Sequence, residues 1–173
     1  MELANKRALI TGASQGLGRA IAQRLAAAGV DIALHYKDSA EKAQQTAQQI
    51  KQLSRRSLAV QADLCQPEQV ETMLEKIRSE LGPLDVLINN AAIFVPTPLE
   101  EFDQAIWEQI FEINVFGPAA LSQSLGKQMK LRGAGKIINV LDVAAQRPFA
   151  SHAGYCASKA ALASLTKSWA KAL

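Results

Sequence analysis

The stretch Arg7-Ala8-Leu9-Ile10-Thr11-Gly12-Ala13-Ser14-Gln15-Gly16-Leu17-Gly18 decides how the chain folds. Arg7 to Thr11 is a short apolar run that predicts a strand. Leu17, Ile21, Leu25 and Ala28 share one face of a helix predicted over about 17–28, and Gly29 ends it. Three glycines join the two elements. Gly12 permits a tight turn, Gly16 lets backbone approach a phosphate, and Gly18 lets the helix pack close to the strand. A helix N-terminus offers free N–H groups and partial positive charge, so this turn, with Ser14 and Leu17, is expected to hold a pyrophosphate. A purely structural turn is the alternative reading.

The same alternation continues outward. Val30 to Tyr36 predicts strand two, Ala40 to Leu53 a helix with Ser39 as N-cap, and Leu58 to Ala62 strand three. Pro67 starts a helix whose buried stripe is Val70, Met73, Leu74, Ile77 and Leu81, and Gly82-Pro83 stops it. Leu84 to Asn89 predicts strand four. A long helical region follows over about 103–132, bent near Gly117-Pro118. Lys136 to Leu141 predicts strand five, and a last helix runs from about Gly154. Strands alternating with helices predict an α/β fold: a Rossmann-type, doubly wound parallel sheet covered on both faces, in one domain over residues 1–173. Ligands in such sheets bind beyond the strands' carboxyl ends, where the strand order reverses. The chain stops at Leu173 still in helical pattern, so the sheet is expected to lack C-terminal strands and to leave strand five as an open edge.

Composition narrows the function classes. Of 173 residues, 49% are hydrophobic and 20% charged, which argues against disorder. No apolar run approaches the ~20 residues that span a bilayer, and the start shows no signal-peptide core. A net charge of +3 without a basic cluster is no nucleic-acid footprint. Two cysteines, Cys65 and Cys156, suit a reducing cytoplasm, and two histidines without a Cys-x-x-Cys leave a metal site short of ligands.

Two segments carry chemistry of their own. Leu34-His35-Tyr36-Lys37-Asp38-Ser39 ends strand two, where an aspartate would hold the 2′-hydroxyl of NAD. Tyr36 stands near that place. Lys37 and Ser39 offer a cation and a hydroxyl to a 2′-phosphate, so the expected cofactor is NADPH, with His35, Tyr36, Lys37 and Ser39 at its adenosine end; a solvated surface lysine is the alternative. Further on, Tyr155 and Lys159 are spaced i, i+4 on one helix face. An ammonium ~4 Å from a phenolate at an effective dielectric of ~20 stabilises it by about 4 kcal/mol, roughly three pKa units. That is enough to bring a phenol from near 10 toward neutrality for acid–base work, against the opposing effect of desolvation. An amphipathic helix with a core tyrosine is the bland alternative.

The turn Thr11-Gly12-x-x-x-Gly16-x-Gly18, Asp63-Leu64, Asn89-Asn90-Ala91, Asn114 and Tyr155-Cys156-Ala157-Ser158-Lys159, in that order, resemble the marks of the short-chain dehydrogenase/reductase family. The resemblance implies that Asp63 pairs with the adenine amino group, Leu64 contacts the ring, and Asn90 and Ala91 line the path to the nicotinamide. It implies that Asn114 supports a proton-relay water beside Lys159, and that Lys159 holds the nicotinamide ribose next to Tyr155. A homodimer or tetramer is the family's usual assembly. The family expects a serine at the end of strand five where this chain has Asp142. An ionised carboxylate only accepts and repels a developing alkoxide, so a substrate with N–H donors is favoured, or a proton transfer from Asp142 if burial raises its pKa. That exchange, together with Asn89-Asn90-Ala91-Ala92-Ile93-Phe94, resembles the pteridine reductases, in which the aromatic at the Phe94 position sandwiches a pterin. The expected function is therefore NADPH-dependent reduction of a pterin or dihydrofolate C=N bond, with Asp142, Tyr155 and Phe94 at the substrate. Reduction of a 3-oxoacyl, sugar or steroid carbonyl, and a truncated, non-catalytic dinucleotide-binding module, are the alternatives.

Overall fold

A computed structural model describes residues 2–173. Five parallel strands form one sheet in the order β3-β2-β1-β4-β5. They are β1 (Arg7–Ile10), β2 (Asp31–Tyr36), β3 (Ser57–Gln61), β4 (Val86–Asn89) and β5 (Lys136–Asn139). The helices are α1 (Gly16–Ala27), α2 (Ala40–Gln52), α3 (Pro67–Glu80), α4 (Gln104–Phe111), α5 (Gly117–Leu131) and α6 (Ala153–Ala172). Period-2 alternation sorts the central strands between two cores. Ala8 and Ile10 of β1, Ile32 and Leu34 of β2, and Val86 and Ile88 of β4 pack with Ala22, Ala26, Ala47 and Ile50 of α1 and α2. Leu9, Ala33 and Leu87 point the other way, onto Val70, Met73 and Ile77 of α3 and Leu121, Leu125 and Met129 of α5. Continuous apolar runs in β1, β2 and β4 follow from this double burial.

The strand order reverses between β1 and β4, whose register pairs Ile10 with Ile88. The loops leaving these two strands, 11–15 and 90–96, therefore open side by side at the carboxyl edge. β5 forms the edge of the sheet among the described residues, and Ile138 is half exposed. No helix of the described residues is long and apolar enough to cross a membrane.

Two local expectations need correction. Ser39 sits at the N-cap of α2, yet its side chain makes no capping bond. The long helical region does not simply bend at Gly117-Pro118: a π-helical turn over Glu112–Phe116 precedes it, closed by the Gly117 N–H on the Glu112 carbonyl. Pro118 has no N–H for the carbonyl four residues back, and a wider turn is one way a helix absorbs that loss. Asn114 lies in this turn, fully buried.

Candidate active site

The glycine turn is locked to the end of β4 from both sides. The Thr11 hydroxyl accepts the N–H groups of Asn90 and Ala91 at 2.9 and 3.0 Å, and the Asn90 amide donates to the Thr11 and Gly12 carbonyls at 2.9 and 3.1 Å. Gly12 and Gly16 have φ of +62° and +56°, in the left-handed region. A Cβ on Gly18 would stand 2.4 Å from the Gly12 carbonyl oxygen and 2.6 Å from Asn90 Nδ2, so only glycine fits there. A Cβ on Gly16 would meet nothing within 4 Å. Its backbone faces open space at the start of α1, where no side chain caps the first turn. A cleft of about 370 Å³ runs past this turn, lined by Gly12, Ser14, Ser39, Leu64, Asn90 and Ala91 among others. A backbone cradle, an uncapped helix start and a long cleft fit the pyrophosphate and adenosine of a dinucleotide.

Along the cleft the structure revises several expected roles. His35 lines it but is 2% exposed, and both ring nitrogens are engaged: Nδ1 accepts the Gly12 N–H at 3.2 Å and Nε2 faces the Ala62 carbonyl at 3.0 Å. It is a strut rather than a free ligand. Tyr36 contributes nothing to the cleft wall, because alternation turns it away from His35 and Lys37. Leu17 stays largely exposed. Lys37 and Asp63, expected on a 2′-phosphate and on adenine, are paired with each other at 2.8 Å, since the ends of neighbouring strands β2 and β3 bring opposite charges together. Asp63 raises the Lys37 pKa, and Lys37 lowers that of Asp63. Burial, then the Asp63 carboxylate, pushes the Cys65 thiol up to about 11, which keeps it a thiol.

Beyond β5, Asp142 and Tyr155 of α6 meet. The Tyr155 hydroxyl donates to Asp142 Oδ2 at 2.9 Å, while Asp142 Oδ1 accepts the Ala144 N–H at 2.8 Å as the N-cap of a one-turn 3₁₀ helix, Val143–Ala145. The Ala144 N–H and the Tyr155 hydroxyl hold the Asp142 pKa below its ordinary value, so it is ionised near neutrality. This fits the ionised acceptor of the sequence reading and not the alternative in which burial raises the pKa. The half-exposed site and its two donors act the other way. Tyr155 moves opposite to expectation: burial first, then Asp142, raises its phenol above the usual 10. Lys159 is 4% exposed, donates to the Val140 carbonyl at 2.9 Å, and has its Nζ 5.7 Å from the Tyr155 ring centroid. Burial lowers its own pKa against the pull of Asp142.

The Asn114 side chain is held between two segments. Its amide donates to the Ile93 carbonyl at 3.0 Å and to Ser158 Oγ at 3.1 Å, and its carbonyl accepts the Ile93 N–H at 2.9 Å. It ties the loop after β4 to α6. Phe94 is present beside Tyr155, edge-on at 4.7 Å, but the His152 ring is stacked on one of its faces at 3.9 Å and 6°. Sequence reading gave Thr11, Ser158 and His152 no such roles. Thr11 carries a signal, a hydroxyl closing a strand before a glycine turn; the other two carry none.

A profile described as short chain dehydrogenase matches residues 6–173. The chain is 35% identical over 169 residues to 3-oxoacyl-(acyl-carrier-protein) reductase FabG of Staphylococcus epidermidis, covering 98% of this chain and 69% of that protein. It is 38% identical over 174 residues to galactitol 2-dehydrogenase of Agrobacterium fabrum, covering 100% and 66%. Among solved structures, a blue fluorescent protein from a metagenomic library, in complex with NADPH, superposes with a TM-score of 0.91 at 38% identity, covering 100% of this chain and 70% of that one. Fold, glycine turn and relatives agree: the chain belongs to the short-chain dehydrogenase/reductase family.

Proposed function

We propose that the chain is an NADPH-dependent reductase acting on the carbonyl of a small hydroxylated ketone. The observation that carries this is the 2.9 Å hydrogen bond from Tyr155 to ionised Asp142, with the Lys159 ammonium behind the phenol ring. When bound, the nicotinamide supplies the hydride. Tyr155, fully protonated near neutrality, gives its proton to the carbonyl oxygen, and solvent at half-exposed Asp142 restores it. Lys159 places a positive charge where the alkoxide forms and offsets the carboxylate beside it.

Asp142 selects the substrate. A carboxylate accepts hydrogen bonds and offers none, so it suits a hydroxyl on the carbon next to the reacting carbonyl. Galactitol 2-dehydrogenase among the relatives favours such a polyol or ketose. A 3-oxoacyl thioester, named in the other relative, brings no hydroxyl for it. NADPH is favoured by the solved structural neighbour that carries it. Lys37 and Ser39, both lining the cleft, would take its 2′-phosphate, with the Lys37–Asp63 pair then shared.

One observation supports a second reading. Asp142 would equally accept from ring N–H groups, and Phe94, largely exposed, would stack a flat heterocycle, as in reduction of a dihydropterin C=N bond. Initial rates of NADPH oxidation with a ketose panel, a 3-oxoacyl thioester and a dihydropterin decide between them. The first reading expects the ketose to be preferred, and preference for the thioester or the pterin overturns it.

A further inference from the structure

The cleft holds a buried titratable side chain that the proposed chemistry does not use. His35 stands in β2 between the glycine turn and the end of β3. An amide N–H only donates and a carbonyl only accepts. Nδ1 therefore must be bare to take the Gly12 N–H, and Nε2 must carry the proton that reaches Ala62. One neutral tautomer satisfies both walls, and no other form of the ring does. The backbone of the same residue holds the turn again, its carbonyl accepting the Ala13 N–H at 2.9 Å.

We infer that His35 is a positioning residue that fixes the phosphate-binding turn against the adenine wall, and that a second proton on its ring opens this link and weakens cofactor binding. The inference rests on the NADPH reading for its functional consequence. Gly12, Ala62, Asp63 and Leu64 line the cleft with His35, whose ring bonds to Gly12 and faces the Ala62 carbonyl. A proton on Nδ1 would face the Gly12 N–H donor to donor, and one partner must move. Burial holds the ring below its ordinary 6.5, against the Ala62 carbonyl and the Asp63 carboxylate. Of the charged groups nearby, Asp63 after β3 favours the second proton and is itself tied to Lys37 at the end of β2. The glycine turn and the loop after β4 bring Ser14 and Asn90 to the same cleft, neither of them charged.

The test combines ring NMR with calorimetric NADPH binding on the purified chain. Nitrogen-detected imidazole spectra at about pH 7 should show the Nε2–H tautomer. The Gly12 amide should shift as the His35 ring titrates. The NADPH dissociation constant should rise as pH is lowered from about 7.5 to about 5.5 while the chain stays folded. Asn and Gln dissect the two bonds, because Asn Oδ1 replaces Nδ1 and Gln Nε2 replaces Nε2. His35→Asn and His35→Gln, each keeping one of the two bonds, should weaken NADPH binding a few-fold and lose its pH dependence, and His35→Leu should weaken it roughly tenfold. The Nδ1–H tautomer, a Gly12 amide that ignores the ring titration, or undiminished NADPH affinity in folded His35→Leu overturns the inference. If His35→Leu does not fold, the wild-type spectra and His35→Asn still decide. If the wild type binds no NADPH at any pH, the cofactor reading has failed, and the tautomer and the Gly12 shift judge the positioning role alone.

Discussion

Asp142 and Tyr155 share a hydrogen bond whose direction sets the pH behaviour of the site. The phenol donates and the carboxylate accepts, so each proton state supports the other: Asp142 ionised, Tyr155 neutral. Removing the carboxylate by Asp142→Ser takes away a cause of the raised phenol pKa. The alkaline limb of the kcat profile for ketone reduction should then move to lower pH, while wild-type activity stays level through neutrality into alkaline solution. The same variant should raise KM for a hydroxyketone about tenfold and leave a simple ketone unharmed or improved. An unmoved alkaline limb with unchanged discrimination would detach Asp142 from the chemistry. Tyr155 and Lys159 were legible in the sequence because one helix face carries both. The lowered pKa of Asp142 was not, because its largest cause is the Ala144 N–H, a donor that exists only once the 3₁₀ turn forms. Nor was the Lys37–Asp63 pair, which joins the tips of two strands that meet only in the sheet.

The glycine turn separates two kinds of constraint within one element. Gly18 is fixed by contact, with the Gly12 carbonyl and the Asn90 amide where a methyl would go. Gly16 is fixed by its φ of +56° alone, with space around it. Gly18→Ala should cost about 2 kcal/mol of stability and displace the turn that Thr11 and Asn90 hold. Gly16→Ala should cost about 1 kcal/mol through left-handed strain and keep the turn in place. Urea unfolding of the two variants checks the order, and equal losses would contradict the packing described. The helix pattern that revealed α1 concealed the π turn over Glu112–Phe116, since apolar spacing runs through it unbroken and only Gly117-Pro118 marks the place. Without that turn, Asn114 has no visible reason to face Ile93 and Ser158.

Alternating elements and right-handed crossovers implied a parallel doubly wound sheet, and the apolar runs of β1, β2 and β4 a sheet buried on both sides; the order β3-β2-β1-β4-β5 itself appears only in the fold. Two buried titratable groups outside the catalytic end contribute to the pH profile of the whole molecule. Asp31 is 5% exposed, and although burial raises its pKa, hydrogen bonds from Arg55 and Arg56 hold it below the ordinary 3.8. His35 is held below 6.5 and binds fewer protons folded than unfolded. Stability should therefore be complete above pH 6.5, decline as pH falls below that value while unfolded His35 takes its proton, and decline again below 3.8 as unfolded Asp31 takes its own. Thermal melts across this range should show the first decline vanish in His35→Asn. Asp31→Asn should lower stability near neutrality by about 2 kcal/mol. A melting temperature that is flat from pH 7 down to pH 4 would contradict the assignment of His35.

The most direct measurement of the central claim is NADPH oxidation by the wild type and by Tyr155→Phe with the best ketose of the panel. Phenylalanine keeps the ring beside Phe94 and removes only the hydroxyl that meets Asp142. The account predicts a fall in kcat of at least about a hundredfold, with NADPH affinity by calorimetry changed little. Turnover by Tyr155→Phe within a few-fold of the wild type would contradict it.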